Sequence, residues 1–510
     1  VPVLRFPARF PLTALFSAAL GVLNTLAFFN DNAWPLQIAV LAALFALVMR
    51  TPSAARGARA GFAFGLGWFL CGISWLFISM HTYGLLPAWF AALCTFGFCC
   101  YLSLYPALAM SLFAALLQRG MPAGRALLLA PLLFTLSELL RSVVLTGFPW
   151  LATGYAEVGG PLAGFAPIAG VFGVTLASAG CAASVTALGM RRTQSRLRPV
   201  ALACLVALIA GGFACSHIDF THASGATVRV RLLQGNVAQA MKFDRAELQR
   251  TIALYFGLIE RAPADLIVLP ETALPIFFND IDSNVIERLH HDAVTLDASI
   301  AVGVPIADGP TRYTNSVVVF SKTETRLSRY DKSHLVPFGE FVPRGFHWFV
   351  HMMQIPLGDF TAGEPDQPPV ALSSQAIGFD ICYEDLFGAQ IARQARNSTM
   401  LVNLSNVAWF GDSLALPEHL QIARMRAIET GRPMLRATNT GMTAAIDARG
   451  QVIGVLAPFT AGELTIDIQP MAGETPYSQL LDWPLWILCA MGAVLSFAFL
   501  VRANRARRLS

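Results

Sequence analysis

The chain has 510 residues, room for two or three domains, but only 13% of them are charged. Its mean hydropathy of +0.55 excludes an ordinary soluble enzyme. The charge is also segregated: residues 217–480 hold 20 of the 36 Lys and Arg and 28 of the 32 Asp and Glu, a formal charge of −8, and the remainder is strongly basic. The pattern is that of a polar domain embedded in a membrane protein.

In chain order, apolar runs long enough to cross a bilayer fall at about 11–28, 35–49, 61–80, 85–117, 126–140, 161–189, 199–216 and 483–501. Every second loop is basic: Arg5 and Arg9, then Arg50, Arg56 and Arg59, then Arg119 and Arg125, then Arg191, Arg192, Arg196 and Arg198, and last Arg502, Arg505, Arg507 and Arg508. The loops between carry only Arg141. The positive-inside rule therefore predicts seven spans in 1–216, an outer domain at 217–480, and an eighth span with a basic tail in 481–510, both termini being cytoplasmic. No small-residue cleavage pattern follows the first run, so it reads as a span and not as a signal peptide; the start at Val1 suggests a trimmed initiator or short leader. Gly61 and Gly65 form a small-xxx-small pattern that marks helix packing. Glu138 and Arg141, three apart near the outer end of a span, either pair with each other or contact a lipid headgroup or the Phe148-Pro-Trp-Leu151 segment.

The polar domain reads as strands at 227–234, 265–270, 299–304, 315–321, 376–382, 399–404 and 442–447, with helices at about 244–261, 282–296 and 417–431. This mixture predicts a layered α/β domain with both sheet faces covered. The stretch 341–363, rich in aromatic residues and Met and broken by Pro and Gly, is either an irregular packed loop or a lid that meets the bilayer or an acyl chain.

Of nine cysteines, eight lie in apolar runs and only Cys382 lies in the polar part, with no partner there for a disulfide. It is either a buried structural thiol or a nucleophile, and an oxidising outer compartment favours chemistry. Two other polar residues end or follow apolar segments: Glu271, in Leu269-Pro-Glu-Thr-Ala-Leu-Pro275, and Lys332, one of three lysines in the chain. A carboxylate can take the proton of a thiol. An ammonium can favour the thiolate and, with backbone N–H groups after Cys382, stabilise a tetrahedral oxyanion. The three together can form and resolve an acyl thioester.

These motifs, Pro-Glu-Thr at 270–272, Asp331-Lys-Ser-His-Leu-Val-Pro-Phe-Gly-Glu340 and Cys382-Tyr-Glu384, resemble the Glu-Lys-Cys triad of the nitrilase superfamily. With seven predicted spans before the domain and one after, the whole chain resembles the bacterial apolipoprotein N-acyltransferase family. Gly147-Phe-Pro-Trp-Leu151 with Gly154-Tyr155, Gln234-Gly-Asn236, Asn403-Leu-Ser-Asn-Val-Ala-Trp-Phe-Gly-Asp412 and Ala423-Arg-Met-Arg-Ala-Ile-Glu429 extend the similarity. The resemblance implies a nitrilase-like α-β-β-α sandwich inserted in an eight-span α-helical membrane domain of the inner membrane, the sandwich being periplasmic. It implies Glu271 as general base, Lys332 as oxyanion and thiolate stabiliser, and Cys382 as nucleophile. Glu340, Tyr383, Glu384 and Asn315 would support the site, with Trp409 and Arg436 as further candidates. Phe243, Trp348, Phe148, Trp150 and Tyr155 would line the substrate entrance or meet lipid. The donor would be the sn-1 acyl chain of a phospholipid, phosphatidylethanolamine above all. The acceptor would be the α-amine of the diacylglyceryl cysteine of an apolipoprotein, and the protein would act as a monomer without cofactor. Two departures stand out: Lys242-Phe243 where the family has Lys-Trp, and Glu418 where Gln is common.

Other readings remain from the residues themselves. An anchored nitrilase-type amidohydrolase would need one span, not eight. A transporter or receptor would use the outer domain for binding only, and the few charges along the spans argue against a transport path. His290-His291 and His347 with His351 have spacings a metal might use, but no Cys or acid cluster joins them, so no metal is expected.

Overall fold

The computed structural model describes residues 10–50, 52–190, 197–239, 245–322, 327–342, 360–372 and 375–509. Phe243 and Trp348, and most of the stretch 341–363, lie outside the described residues. By its internal contacts the chain divides into two units, one of Val1–Ser74, Ala92–Ile218 and Asp482–Ser510, the other of Trp75–Ala91 and Asp219–Leu481.

The first unit is helical. Among the described residues six helices are long and apolar enough to cross a membrane: Asp31–Arg50, Ala88–Gln118, Ala123–Arg141, Pro161–Leu188, Leu197–Cys215 and Trp483–Arg507. The first predicted span is a shorter apolar helix, Leu12–Leu26. Gly61 and Gly65 lie against the helix Ala88–Gln118 so closely that a Cβ at Gly61 would collide with the Pro106 carbonyl and Ala107 Cα, and one at Gly65 would lie 2.8 Å from Ser103 Cα. Glu138 and Arg141 both serve the segment after their helix. Arg141 Nη1 donates to the carbonyls of Phe148 (2.6 Å) and Trp150 (2.7 Å), and Glu138 accepts from Thr153 N (3.0 Å) and Thr153 Oγ1 (2.6 Å).

The expected third span, 61–80, departs from prediction. Its helix stops at Gly72, with Ile73 out of helical geometry, and the chain resumes as Trp75–Ile78 and a π turn, Ser79–Tyr83; counted as one interrupted span, the pair gives a seventh. A physical reason lies at Trp75: its indole N–H donates to Glu418 Oε2 (3.2 Å), a partner that lipid could not supply.

The second unit is built on two six-stranded sheets and a short ribbon that pairs β1 (Thr221–Ala223) with β14 (Met471–Gly473). One sheet runs in the order β13 (Gly462–Ile468), β2 (Val228–Gln234), β3 (Leu266–Val268), β4 (Ser299–Ala307), β5 (Tyr313–Phe320), β6 (Ser328–Asp331). The other runs β12 (Val452–Val455), β11 (Ala444–Ile446), β10 (Met434–Thr438), β9 (Met400–Ser405), β8 (Gln375–Ile381), β7 (Val370–Leu372). The centre of each is parallel (β2, β3 and β4; β8, β9 and β10) and its flanks are antiparallel. Alternate residues of both sheets (Val230, Leu232, Val268 and Val317 against Phe379, Ile381, Val402 and Leu435) fill one core between them. Their other faces are covered by helices: Arg245–Ile259 and Ser283–Thr295 on the first sheet, Gly388–Ala395 and Ala415–Thr430 on the second. This is the four-layer α-β-β-α sandwich, and burial on both faces explains the continuous apolar reading of β3, β4 and β9.

Candidate active site

Three strand ends bring the site together. Glu271 follows β3 after Leu269 and Pro270, Lys332 follows β6, and Cys382 follows β8 in the facing sheet. In an open α/β sheet the carboxyl ends of parallel strands are where side chains converge on a ligand. Two of the turns are strained: Thr272 has φ +50° and Cys382 φ +53°, left-handed values that cost a residue with a Cβ about 1–3 kcal/mol. At Cys382 the neighbours enforce that conformation. Asn403 Nδ2 donates to its carbonyl at 3.2 Å, and Glu384 Oε2 accepts the N–H of Ile381, the residue before it, at 2.8 Å.

Lys332 is 1% exposed. Its backbone N–H donates to the Asn315 carbonyl at 2.8 Å, and its Nζ lies 2.9 Å from Glu340 Oε1 and 3.6 Å from Glu271 Oε1. Asn315 Nδ2 bridges the two acids, at 2.8 Å to Glu271 Oε1 and 2.9 Å to Glu340 Oε1. Glu271 Oε2 accepts the N–H of Asn406 at 2.7 Å, and Glu340 Oε2 that of Val336 at 2.8 Å. Burial opposes the charge on Lys332, but the carboxylates of Glu340 first and then Glu271 outweigh it, and the ammonium is held above its ordinary range.

Cys382 is partly accessible, yet its thiol is pushed well up, by burial first and then by the Glu271 carboxylate; Lys332 opposes them. The expectation that the ammonium would favour the thiolate is therefore only half of the electrostatics. Burial first and then the acids beside it outweigh the ammonium, so the surroundings of Cys382 favour the thiol over the thiolate, and a nucleophilic role for it would call for a base at the moment of attack.

The supporting candidates separate by location. Asn315 and Glu340 touch the charged groups directly. Glu384 is fully buried and faces away from them. Its two oxygens accept from Ser333 N and Oγ, His334 N, Gln390 Nε2, Tyr330 Oη and Ile381 N, all at 2.8–3.0 Å. It ties the turn after Lys332 to the turn before Cys382. Tyr383 packs its ring near His334 and Phe387. Trp150 and Tyr155 are 1% and 2% exposed within the helical unit, and the half-buried Phe148 stacks parallel to Trp150.

Of a buried polar layer next to Cys382, the sequence reading names only Arg436. Asp385 Oδ1 meets His419 Nε2 at 2.8 Å and Asp385 Oδ2 meets Arg436 Nη1 at 3.1 Å, while Asn403 Nδ2 donates to Asp380. Burial, then Arg436, lowers His419, and burial, then Asp385, raises Asp380 well above the carboxylate range. A neutral His419 donating to Asp385 is the consistent arrangement. The signal was an acid or an arginine inside an apolar β run, Asp380 in Gly378-Phe-Asp-Ile381 and Arg436 in Met434-Leu-Arg-Ala-Thr438.

Comparison with known proteins bears on the whole length. Residues 229–477 match the carbon-nitrogen hydrolase family, and residues 20–184 match the apolipoprotein N-acyltransferase N-terminal domain. An apolipoprotein N-acyltransferase of Ralstonia nicotianae is 46% identical over 511 residues, covering 99% of this chain and 96% of the relative. Those of Bordetella bronchiseptica and Chromobacterium violaceum are 40% and 39% identical, over 96% and 99% of this chain and 97% and 96% of theirs. Among solved structures, an amidase from Nesterenkonia matches 48% of this chain and 92% of its own with 19% identity and a TM-score of 0.38. On the full-length relatives and the two matched regions together, the chain belongs to the apolipoprotein N-acyltransferase family.

Proposed function

We propose that this chain takes the sn-1 acyl chain of a phospholipid, phosphatidylethanolamine above all, onto Cys382 as a thioester. It then passes that acyl chain to the α-amine of the diacylglyceryl cysteine of an apolipoprotein. The observation that carries the reading is the grouping of Glu271 and Lys332 beside a partly accessible Cys382 on a left-handed turn. Glu271 takes the thiol proton as Sγ attacks the ester carbonyl. Lys332, with N–H groups after Cys382, stabilises the oxyanion. On collapse the C–O bond breaks, and Glu271 returns the proton to the leaving lysophospholipid oxygen. In the second half the amine attacks the thioester, its proton passes through Glu271, and Cys382 leaves as the thiol. An α-amine of pKa near 8 has an appreciable neutral fraction for this step.

Asn315 and Glu340 hold Lys332 and Glu271 in register, and Glu384 and Tyr383 hold the two turns. The apolar helices support a multi-pass inner-membrane protein. Eight spans, cytoplasmic termini and a periplasmic domain at 217–480 follow from the alternation of arginine-rich loops; alkaline phosphatase fused after residue 480 should be active, and fused after residue 508 inactive. The reaction itself is tested by incubating the purified protein with phosphatidylethanolamine alone. Intact mass should rise by one acyl chain and fall back with hydroxylamine, and Cys382→Ala should take up none. No adduct on the native protein overturns the covalent route.

A further inference from the structure

Residues 75–83, the second piece of the interrupted span, make contacts that the chemistry above leaves unused. Trp75 is buried, its ring tilted against Phe410 with centroids 4.3 Å apart and its Nε1–H on Glu418 Oε2. Tyr83 meets Trp409 edge-on at 5.9 Å. Gly411, at φ +60°, passes so near Ile78 that a Cβ there would lie 3.3 Å from Ile78 Cγ2. Both rings of the Val407–Phe410 turn and the glycine that ends it are thus packed against 75–83. The residue opening that turn is Asn406, and its N–H is the donor on Glu271 Oε2 at 2.7 Å. On its far side Asn406 is tied to Gln239 (2.8 Å) and Asn439 (3.2 Å).

We propose that Trp75 is a positioning residue for the reaction. By seating the Val407–Phe410 turn, it fixes the Asn406 N–H on Glu271 and so the aim of the carboxylate at the Cys382 thiol. The proposal rests on Glu271 being the base. Two features of the contact suit the task. A carboxylate accepts the indole N–H more strongly than a neutral acceptor would, and a buried ring pair resists sliding more than an aliphatic contact does. A base misplaced by a fraction of an ångström still binds substrate but loses the near-attack geometry, so the defect belongs in the rate constant and not in lipid affinity.

The test is single-turnover thioester formation on the full chain in detergent with phosphatidylethanolamine alone. Trp75→Ala should slow acylation by about 10- to 100-fold, with half-saturating phospholipid changed less than about twofold, and Trp75→Phe, which keeps a ring against Phe410, should recover most of the rate. A native rate constant in Trp75→Ala overturns the proposal. So does a raised half-saturation at unchanged rate, which would make 75–83 a lipid-binding surface. If Trp75→Ala does not fold, Glu418→Leu keeps both rings and should slow acylation in the same direction by less; an unchanged rate in that folded variant is equally fatal. Glu271→Gln measured alongside separates the two claims. A normal burst there removes Glu271 as base, whereas no burst there with a native rate in Trp75→Ala removes only the role of Trp75.

Discussion

Lys332 donates to Glu340 at 2.9 Å across a buried pair, closer than it comes to Glu271. Glu340 therefore draws the ammonium away from Glu271, the proposed base. With Glu340→Gln the nearest full negative charge to Lys332 becomes Glu271, and a tighter pair there would stabilise the charged carboxylate and weaken the proposed base. Thioester formation should fall by about 100- to 1000-fold, the size of losing one oxyanion donor. Burst kinetics with phospholipid check this, and a native burst would show that Glu340 does not orient Lys332.

Glu384 should behave as a structural residue although it stands two positions from Cys382, the proposed nucleophile. Glu384→Ala strips the acceptor from six buried or half-buried donors, three of them backbone N–H groups. Each unsatisfied donor costs about 1–3 kcal/mol, so the total should exceed about 4 kcal/mol even with relaxation. The expected result is a large fall in Tm of the purified protein, with acylation lost in proportion to the folded fraction. A fully folded, inactive Glu384→Ala would move this residue into the chemistry.

The raised thiol of Cys382 has a pH signature. Alkylation by iodoacetamide, followed at the Cys382 peptide by mass spectrometry, should be slow at neutral pH and still rising above about pH 8.5, where an ordinary thiol is half ionised. Burial and the negative charges of Glu271, Glu340 and Asp385 raise the thiol, and Lys332 lowers it. Removing a negative neighbour must shift the curve to lower pH, and removing the cation must shift it higher. Glu271→Gln should thus ionise Cys382 more easily while abolishing acyl transfer, whereas Lys332→Met should impair both. A Glu271→Gln curve displaced to higher pH would contradict the electrostatics.

The strand ends of the candidate site are readable because a largely apolar run leads into each polar residue: 265–270 into Glu271, 376–381 into Cys382. The buried centre of each sheet was readable for the same reason. β10 and β13 escaped notice. β10 carries the buried Arg436, which breaks the apolar signal, and β13 alternates on a half-exposed face. The polar layer of Asp385, His419 and Arg436 has no periodicity; it exists only once β8, β10 and the helix Ala415–Thr430 are packed. Hydropathy likewise could not place the break after Gly72, because Trp75 counts as apolar until its N–H finds Glu418.

Arg141 shows the same principle in the helical unit and allows a separate test. It is 1% exposed, and its Nη1 donates to the Phe148 and Trp150 carbonyls, while its guanidinium lies 5.3 Å from the Phe69 ring centroid and 5.8 Å from that of Trp68. Arg141→Leu keeps an apolar stem but removes both bonds and the ring contacts. Two buried carbonyls losing a charged donor at about 1–3 kcal/mol each should loosen residues 147–153 more than they disturb the long helices. Hydrogen exchange should therefore rise in 147–155, with little change in 166–188, and Tm should fall. Arg141→Lys supplies one point charge where the guanidinium also lies over two rings, so it should recover only part of the protection. Unchanged exchange at 147–155 in Arg141→Leu would mean that the buried Trp150 and Tyr155 hold the segment without the arginine.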